Sequence, residues 1–275
     1  MASILAPCTS EDGRDEHGPV SPVPRSNDGR AAPGIEVVAL HPTDAERAQE
    51  GGADRLHVLG LTEPVVGGEA RSLEPAAVSA IVRATDLPVR VTLRLSPGFS
   101  TQGGEFTRLV GLVSDYLSLG VEGFVFGFLT SDLEVDVDTC GELVDSLAGI
   151  PWTFDRAFDH ALEARRAWRA LASLDGLDSI HTAGSVRDMD AGFDDLMTLA
   201  SAEVGFASVA VAAGGVRPEH VPWLARVGLT RVHLGASVRP GGSWTKSHVD
   251  AGFVRSWRLL LDDATQAGHA SGSAG

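Results

Sequence analysis

The chain has 275 residues, 43% of them hydrophobic, which is enough to bury the core of one barrel-sized domain. Its formal charge of −15 excludes nucleic acid and anionic membrane as partners, because both demand basic surface. No apolar run approaches the ~18 residues of a membrane span. Two cysteines, Cys8 and Cys140, are too few for a disulfide framework. Met1–Ser10 shows neither the charged start nor the sustained apolar stretch of a signal peptide, so a cytoplasmic protein is expected.

Residues 1–33 mix Pro, Ser, Gly and charges without an apolar period and read as a disordered extension. From residue 34 to 264 one cadence recurs eight times: a short apolar run, a turn punctuated by Gly or Pro, then a helix-length amphipathic stretch. The runs are Ile35–Leu40, Arg55–Leu59, Val89–Leu95, Gly123–Phe128, Trp152–Phe154, Ser179–His181, Ala207–Val211 and Arg231–Leu234. Rich in Val, Ile, Leu and Phe, most fit parallel strands covered on both faces. Eight such units predict an α/β protein, a single-domain (β/α)8 barrel. Thr43-Asp44 and Ser72 supply helix-start signals, and Pro75 and Pro218 stand in first turns. Helical periodicity covers Phe106–Leu119, Leu162–Leu174 and Asp190–Ala202, and residues 250–264 close the ring. Residues 265–275, small and polar, read as a disordered tail. Ser237–His248 is a long connection before the last helix.

In a barrel the chemistry gathers where the strands end, so polar residues on or just past strands are the candidates. They are Glu36, His57, Arg94, Asp155, Arg156, His181 and His233. A buried charge without a partner is costly, so these groups must pair or meet a ligand. Glu36, Arg94 and Arg156 are expected to share one cavity at the C-terminal end of the strands. A second constellation is glycine-rich. Gly214, Gly215 and Arg217 follow the seventh strand, Gly235 follows the eighth, and Thr182 and Gly184 follow the sixth. Bare backbone N–H groups in such loops suit an anion, giving a small anionic ligand as candidate partner.

Other chemistries are poorly provided for. The one lysine, Lys246, is not on a strand, which disfavours Schiff-base catalysis, and HExxH, Cys-x-x-Cys and Gly-x-Ser-x-Gly are all absent. Two functions stay open. In the first, Glu36, Arg94, Asp155, Arg156 and His233 form a metal-independent isomerase, epimerase or lyase site for a small phosphorylated or carboxylated metabolite. In the second, the barrel binds a divalent metal without turnover, with His57 and His181, joined by His233 and by Glu36 or Asp155, as candidate ligands.

The segments GGADRLHVLG (51–60), GFVFGFLTSDLEVDVD (123–138), WTFDRAFDHA (152–161), IHTAGS (180–185), VAAGGVRPEHV (211–221) and RVHLGAS (231–237) resemble the CutC family of barrel proteins, in order and at the same strand ends. The resemblance implies copper homeostasis and copper binding, and its motifs fall on Glu36, Asp54, Arg55, Arg94, Gly127, Asp132, Asp136, Arg156, Phe158, Asp159, Thr182, Gly184, Gly214, Gly215 and His233. This chain departs from the family pattern at several points. Val38-Ala39 stands where cysteines are common, His57 where an acid is, and Asp155 where a histidine is. Cu(I) prefers sulfur ligands, and the barrel offers only Cys140, on a helix. Copper is thus the cofactor implied by resemblance, while the residues alone fix none. Barrels of this size commonly dimerise, making a homodimer the candidate assembly.

Overall fold

A computed structural model describes residues 34–61 and 70–272, with side chains described as far as residue 267. The expected disordered extension 1–33, and Cys8 with it, lies outside the described residues. Among the described residues ten strands form: β1 (Gly34–Ala39), β2 (Arg55–Val58), β3 (Gly60–Leu61), β4 (Ala70–Arg71), β5 (Val89–Thr92), β6 (Gly123–Phe126), β7 (Trp152–Phe154), β8 (Leu177–Thr182), β9 (Ala210–Ala212) and β10 (Arg231–Leu234). Eight of them close a parallel barrel in the ring order β1-β10-β9-β8-β7-β6-β5-β2. Strands β3 and β4 pair antiparallel as a small hairpin beyond β2.

Helices alternate with the barrel strands and cover their outer faces. They are α1 (Pro42–Gly51), α2 (Pro75–Val82), α3 (Gly103–Ser118), α4 (Val137–Ser146), α5 (Ala164–Leu171), α6 (Met189–Ala202), the single turn α7 (Phe206–Val209), α8 (Val221–Arg226) and α9 (Ala251–Gly272). Helix α3 turns Leu109, Val113 and Tyr116 to the core, as its three- and four-residue spacing requires. The strands answer with Phe124, Phe126, Trp152 and Phe154, all fully buried, and the rings of Phe126 and Trp152 stack at 4.6 Å. Cys140 packs on α4 beside Leu143 in this outer layer.

Three local readings are corrected. Helix α9 continues to Gly272, so the tail expected from 265 is helical over 265–272. The seventh strand starts at Ala210, not Ala207. Gly205, in the left-handed region at φ 82°, lets a helical turn form first and buries Phe206. Ser72 caps no helix; its hydroxyl accepts from Arg94 N–H and donates to the Thr92 carbonyl.

Candidate functional site

Hydrogen bonds between strands that are not ring neighbours run through the barrel's interior, and they show that interior to be polar. At its N-terminal end Arg90 on β5 grips both carboxylate oxygens of Asp178 on β8 and donates to Thr153 on β7. Arg231 on β10 donates to Ser179 and to the Asp178 carbonyl, and Arg55 on β2 reaches across to Ser179. Burial would raise the Asp178 carboxyl, but Arg90, Arg55 and Arg231 outweigh it and hold it below the usual carboxylate range. This layer is an ion-paired plug.

One layer toward the C-terminal end lie Glu36, His57, Thr92, His181 and His233. Side chains two apart on a strand face the same way, so His57 stands above Arg55, Thr92 above Arg90 and His233 above Arg231. Neighbouring strands hold Glu36 in register with both Arg55 and His233. Arg55 Nε donates to Glu36 Oε2. The other oxygen, Oε1, lies 2.7 Å from His181 Nε2 and 3.7 Å from His233 Nε2. His57 Nδ1 is 3.0 Å from His233 Nε2, and its Nε2 is 2.8 Å from the Thr92 hydroxyl. One ligand atom from each of Glu36, His57, His181 and His233 falls within 4.8 Å of the rest.

Glu36 Oε1 and His181 Nε2 meet as a buried pair without the alignment of a full hydrogen bond, and Oε1 also faces His233. Burial would raise the Glu36 carboxyl; Arg55 and His181 prevail and keep it well below the ordinary range, so it is a carboxylate. Burial lowers His57 to about 3 and drives His233 well below its ordinary value, aided by neighbouring cations, so both imidazoles are neutral at pH 7. A carboxylate oxygen and neutral imidazole nitrogens are the donors a transition-metal ion takes. The Thr92 hydroxyl beside His57 Nε2 steadies the ring with Nδ1 toward the cluster.

The other expected site residues are placed elsewhere. Arg94 donates to Asp155 at 2.5 Å and to the carbonyls of Gly98 and Gly127. Arg156 donates to Asp159 at 2.8 Å and to the Ser185 carbonyl. Glu36, Arg94 and Arg156 therefore belong to three separate networks instead of one cavity. At the loop after β8 the backbone cradle holds an anion of the chain's own. Asp159 accepts from the Thr182 hydroxyl and from the backbone N–H groups of Ala183 and Gly184. Gly214, at φ 72°, leaves room for the Arg156 guanidinium, and a Cβ on Gly235 would overlap the ring of Trp244. Gly215, also left-handed, faces Asp188. Arg217 is half exposed and pairs with Asp190 and Glu219.

Sequence reading grouped the three histidines with either Glu36 or Asp155 as a possible divalent-metal site, and the structure brings Glu36, not Asp155, to them. It missed Arg90, Asp178 and Arg231 below the cluster. The signal was there: Arg55-x-His57, Arg90-x-Thr92-x-Arg94, Ser179-x-His181 and Arg231-x-His233 repeat polar residues at the strand period of two.

A closed parallel (β/α)8 barrel holding a buried histidine–carboxylate cluster is the class of protein that fold and site define. The model of the CutC family matches residues 34–238. The chain belongs to the CutC family. It is 29% identical over 214 residues to a family protein CutC of Klebsiella pneumoniae strain 342, covering 78% of this chain and 82% of that one. A family protein CutC of Histophilus somni is 28% identical over 204 residues, covering 74% and 82%. Among solved structures, one described as copper homeostasis protein CutC, from Streptococcus agalactiae, superposes with a TM-score of 0.63 at 19% identity, over 74% of this chain and 98% of that one. Thiamine phosphate pyrophosphorylase from Pyrococcus furiosus shares the fold at a TM-score of 0.54 and 16% identity, over 84% and 96%. Among the described residues no helix is long and apolar enough to cross a membrane.

Proposed function

We propose that this chain serves copper homeostasis by holding a divalent copper ion inside the barrel on Glu36, His57, His181 and His233. The observation that carries this reading is the convergence of one ligand atom from each of Glu36, His57, His181 and His233 within 4.8 Å. Glu36 Oε1 and His181 Nε2, which are poorly aligned to each other, would both serve a metal ion as ligands. Three nitrogens and one oxygen suit Cu(II), which such donors bind more tightly than the neighbouring divalent metals. Cu(I) is poorly served. Cys140 is buried on the far side of the strand layer, and burial pushes its thiol up to about 12, so no thiolate is offered. We place the protein in the cytoplasm, in keeping with its two cysteines and acidic composition.

Titration of chelator-stripped protein with Cu(II), read by calorimetry and by nitrogen hyperfine structure in the EPR spectrum, tests the reading. We expect one equivalent to bind, His181→Ala to weaken it more than tenfold, and Cys140→Ala to leave it unchanged. Binding that survives the His181→Ala, His233→Ala double variant would place the copper elsewhere.

A further inference from the structure

A second site lies apart from the histidine cluster, where a cavity of about 400 Å³ opens at the C-terminal ends of β1 and β2, under the connection from β10 to α9. One wall is apolar: Leu40, Leu59, Leu61 and Leu73, with the indole of Trp244. That indole is anchored, since it fills the space over Gly235 and lies 5.7 Å from the Arg239 guanidinium.

The polar wall is Asp44, Arg239 and Lys246, with His41 and His248. Asp44 is fully committed. Its carboxylate accepts from Leu40 N–H, Val249 N–H and both terminal nitrogens of Arg239, and His248 Nδ1 lies 3.1 Å away. Arg239 in turn donates to the carbonyls of Val38 and Ser247, but its Nε–H finds no acceptor, although the side chain is only 1% exposed. Lys246 has no carboxylate partner among the described residues, in a chain that carries fifteen excess negative charges. Asp44 offsets Arg239, so among the described residues the ammonium of Lys246 is the charge of the cavity without a counter-ion.

We infer that this cavity binds a small organic carboxylate with a flat apolar body. Its acid group would sit at the Lys246 ammonium and its body against Trp244 and the leucines. An acid lacking the apolar body would forgo contact with the indole and the leucines. A neutral analogue would leave the cation unanswered. The volume falls at the small end of the range for ligand pockets, about 300–1,000 Å³.

The inference is independent of copper, and the full chain stripped of metal can test it. Binding of 4-fluorobenzoate is followed by fluorine NMR, with 4-fluorobenzamide as the neutral isostere and acetate as the acid without a ring. We expect saturable binding of the benzoate, with both comparison compounds at least tenfold weaker. Lys246→Gln should weaken the benzoate about tenfold at an unchanged melting temperature, because the side chain is exposed. His181→Ala, which removes a donor of the interior cluster, should leave benzoate binding as it is. Failure to saturate, equal binding of the amide, or indifference to Lys246→Gln would overturn the assignment. Loss of binding in His181→Ala would move the acid to the interior and overturn it as well.

Discussion

The two interior layers of the barrel are built from similar residues and end in opposite conditions. In the lower one Asp178 is gripped at both oxygens by Arg90, while Arg231 and Arg55 share Ser179. In the upper one Glu36 spends one oxygen on Arg55 and leaves the other facing imidazoles with which it makes no aligned hydrogen bond. A guanidinium matches both oxygens of a carboxylate at once and saturates it. An imidazole offers one atom on a rigid ring and leaves lone pairs over. The plug is closed chemistry, and the cluster above it is open.

The hardest way to break that comparison is to remove the guanidinium of the lower layer. Arg90→Met leaves Asp178 buried without its main partner, so unfolding free energy should fall by about 3–5 kcal/mol. Urea denaturation measures it, and a loss under 1 kcal/mol would show that Arg55 and Arg231 suffice.

Acid separates the layers more gently. Unfolded, each imidazole titrates near its ordinary value; folded, His57 titrates at about 3 and His233 also lies far below the ordinary value. As pH falls below about 6.5, the unfolded chain takes up protons that the folded one refuses. Stability is therefore full above that pH and declines below it, by roughly 2–4 kcal/mol between pH 7 and 5 for the two histidines. The paired carboxylates Glu36 and Asp178 have lowered values, so their contribution is lost only at more acid pH. Denaturation at both pH values in the presence of a chelator checks this, and His57→Gln should remove about half of the decline. A flat profile would mean that solvent reaches the cluster.

The smallest effect is expected outside both layers. Cys140→Ala removes a group that only packs, so the cost should be about 1 kcal/mol, near that of one buried methylene. In a Cys8→Ala background, a native thiol that reacts readily with a disulfide reagent would contradict the burial of Cys140.

Legibility differed in the same way between shell and interior. Each outer element could be read from its own stretch of chain: the apolar runs at Val89 and Gly123, the spacing of Leu109, Val113 and Tyr116, the prolines opening α2 and the turn before α8. Errors there were matters of extent, as at Ala207 and in α9. The Thr182–Gly184 loop misled because a backbone cradle looks the same in sequence whether a ligand or the chain's own Asp159 fills it. Glu36 and the three histidines were each visible, yet nothing local ranks Glu36 with His181 above Glu36 with Arg94.

By itself the sequence determined an eightfold alternation of strand and helix, which side chains go outward, and that several charged groups must lie inside, because periodicity and the cost of burying charge act along the chain. Which of those groups meet was decided only when the ring closed. Glu36 and His181 stand on strands three places apart in the barrel, and their approach depends on strand order, register and the hand of every crossover. Partner choice in a closed sheet is a property of the whole ring, because moving one strand by a single residue turns its inward side chains out.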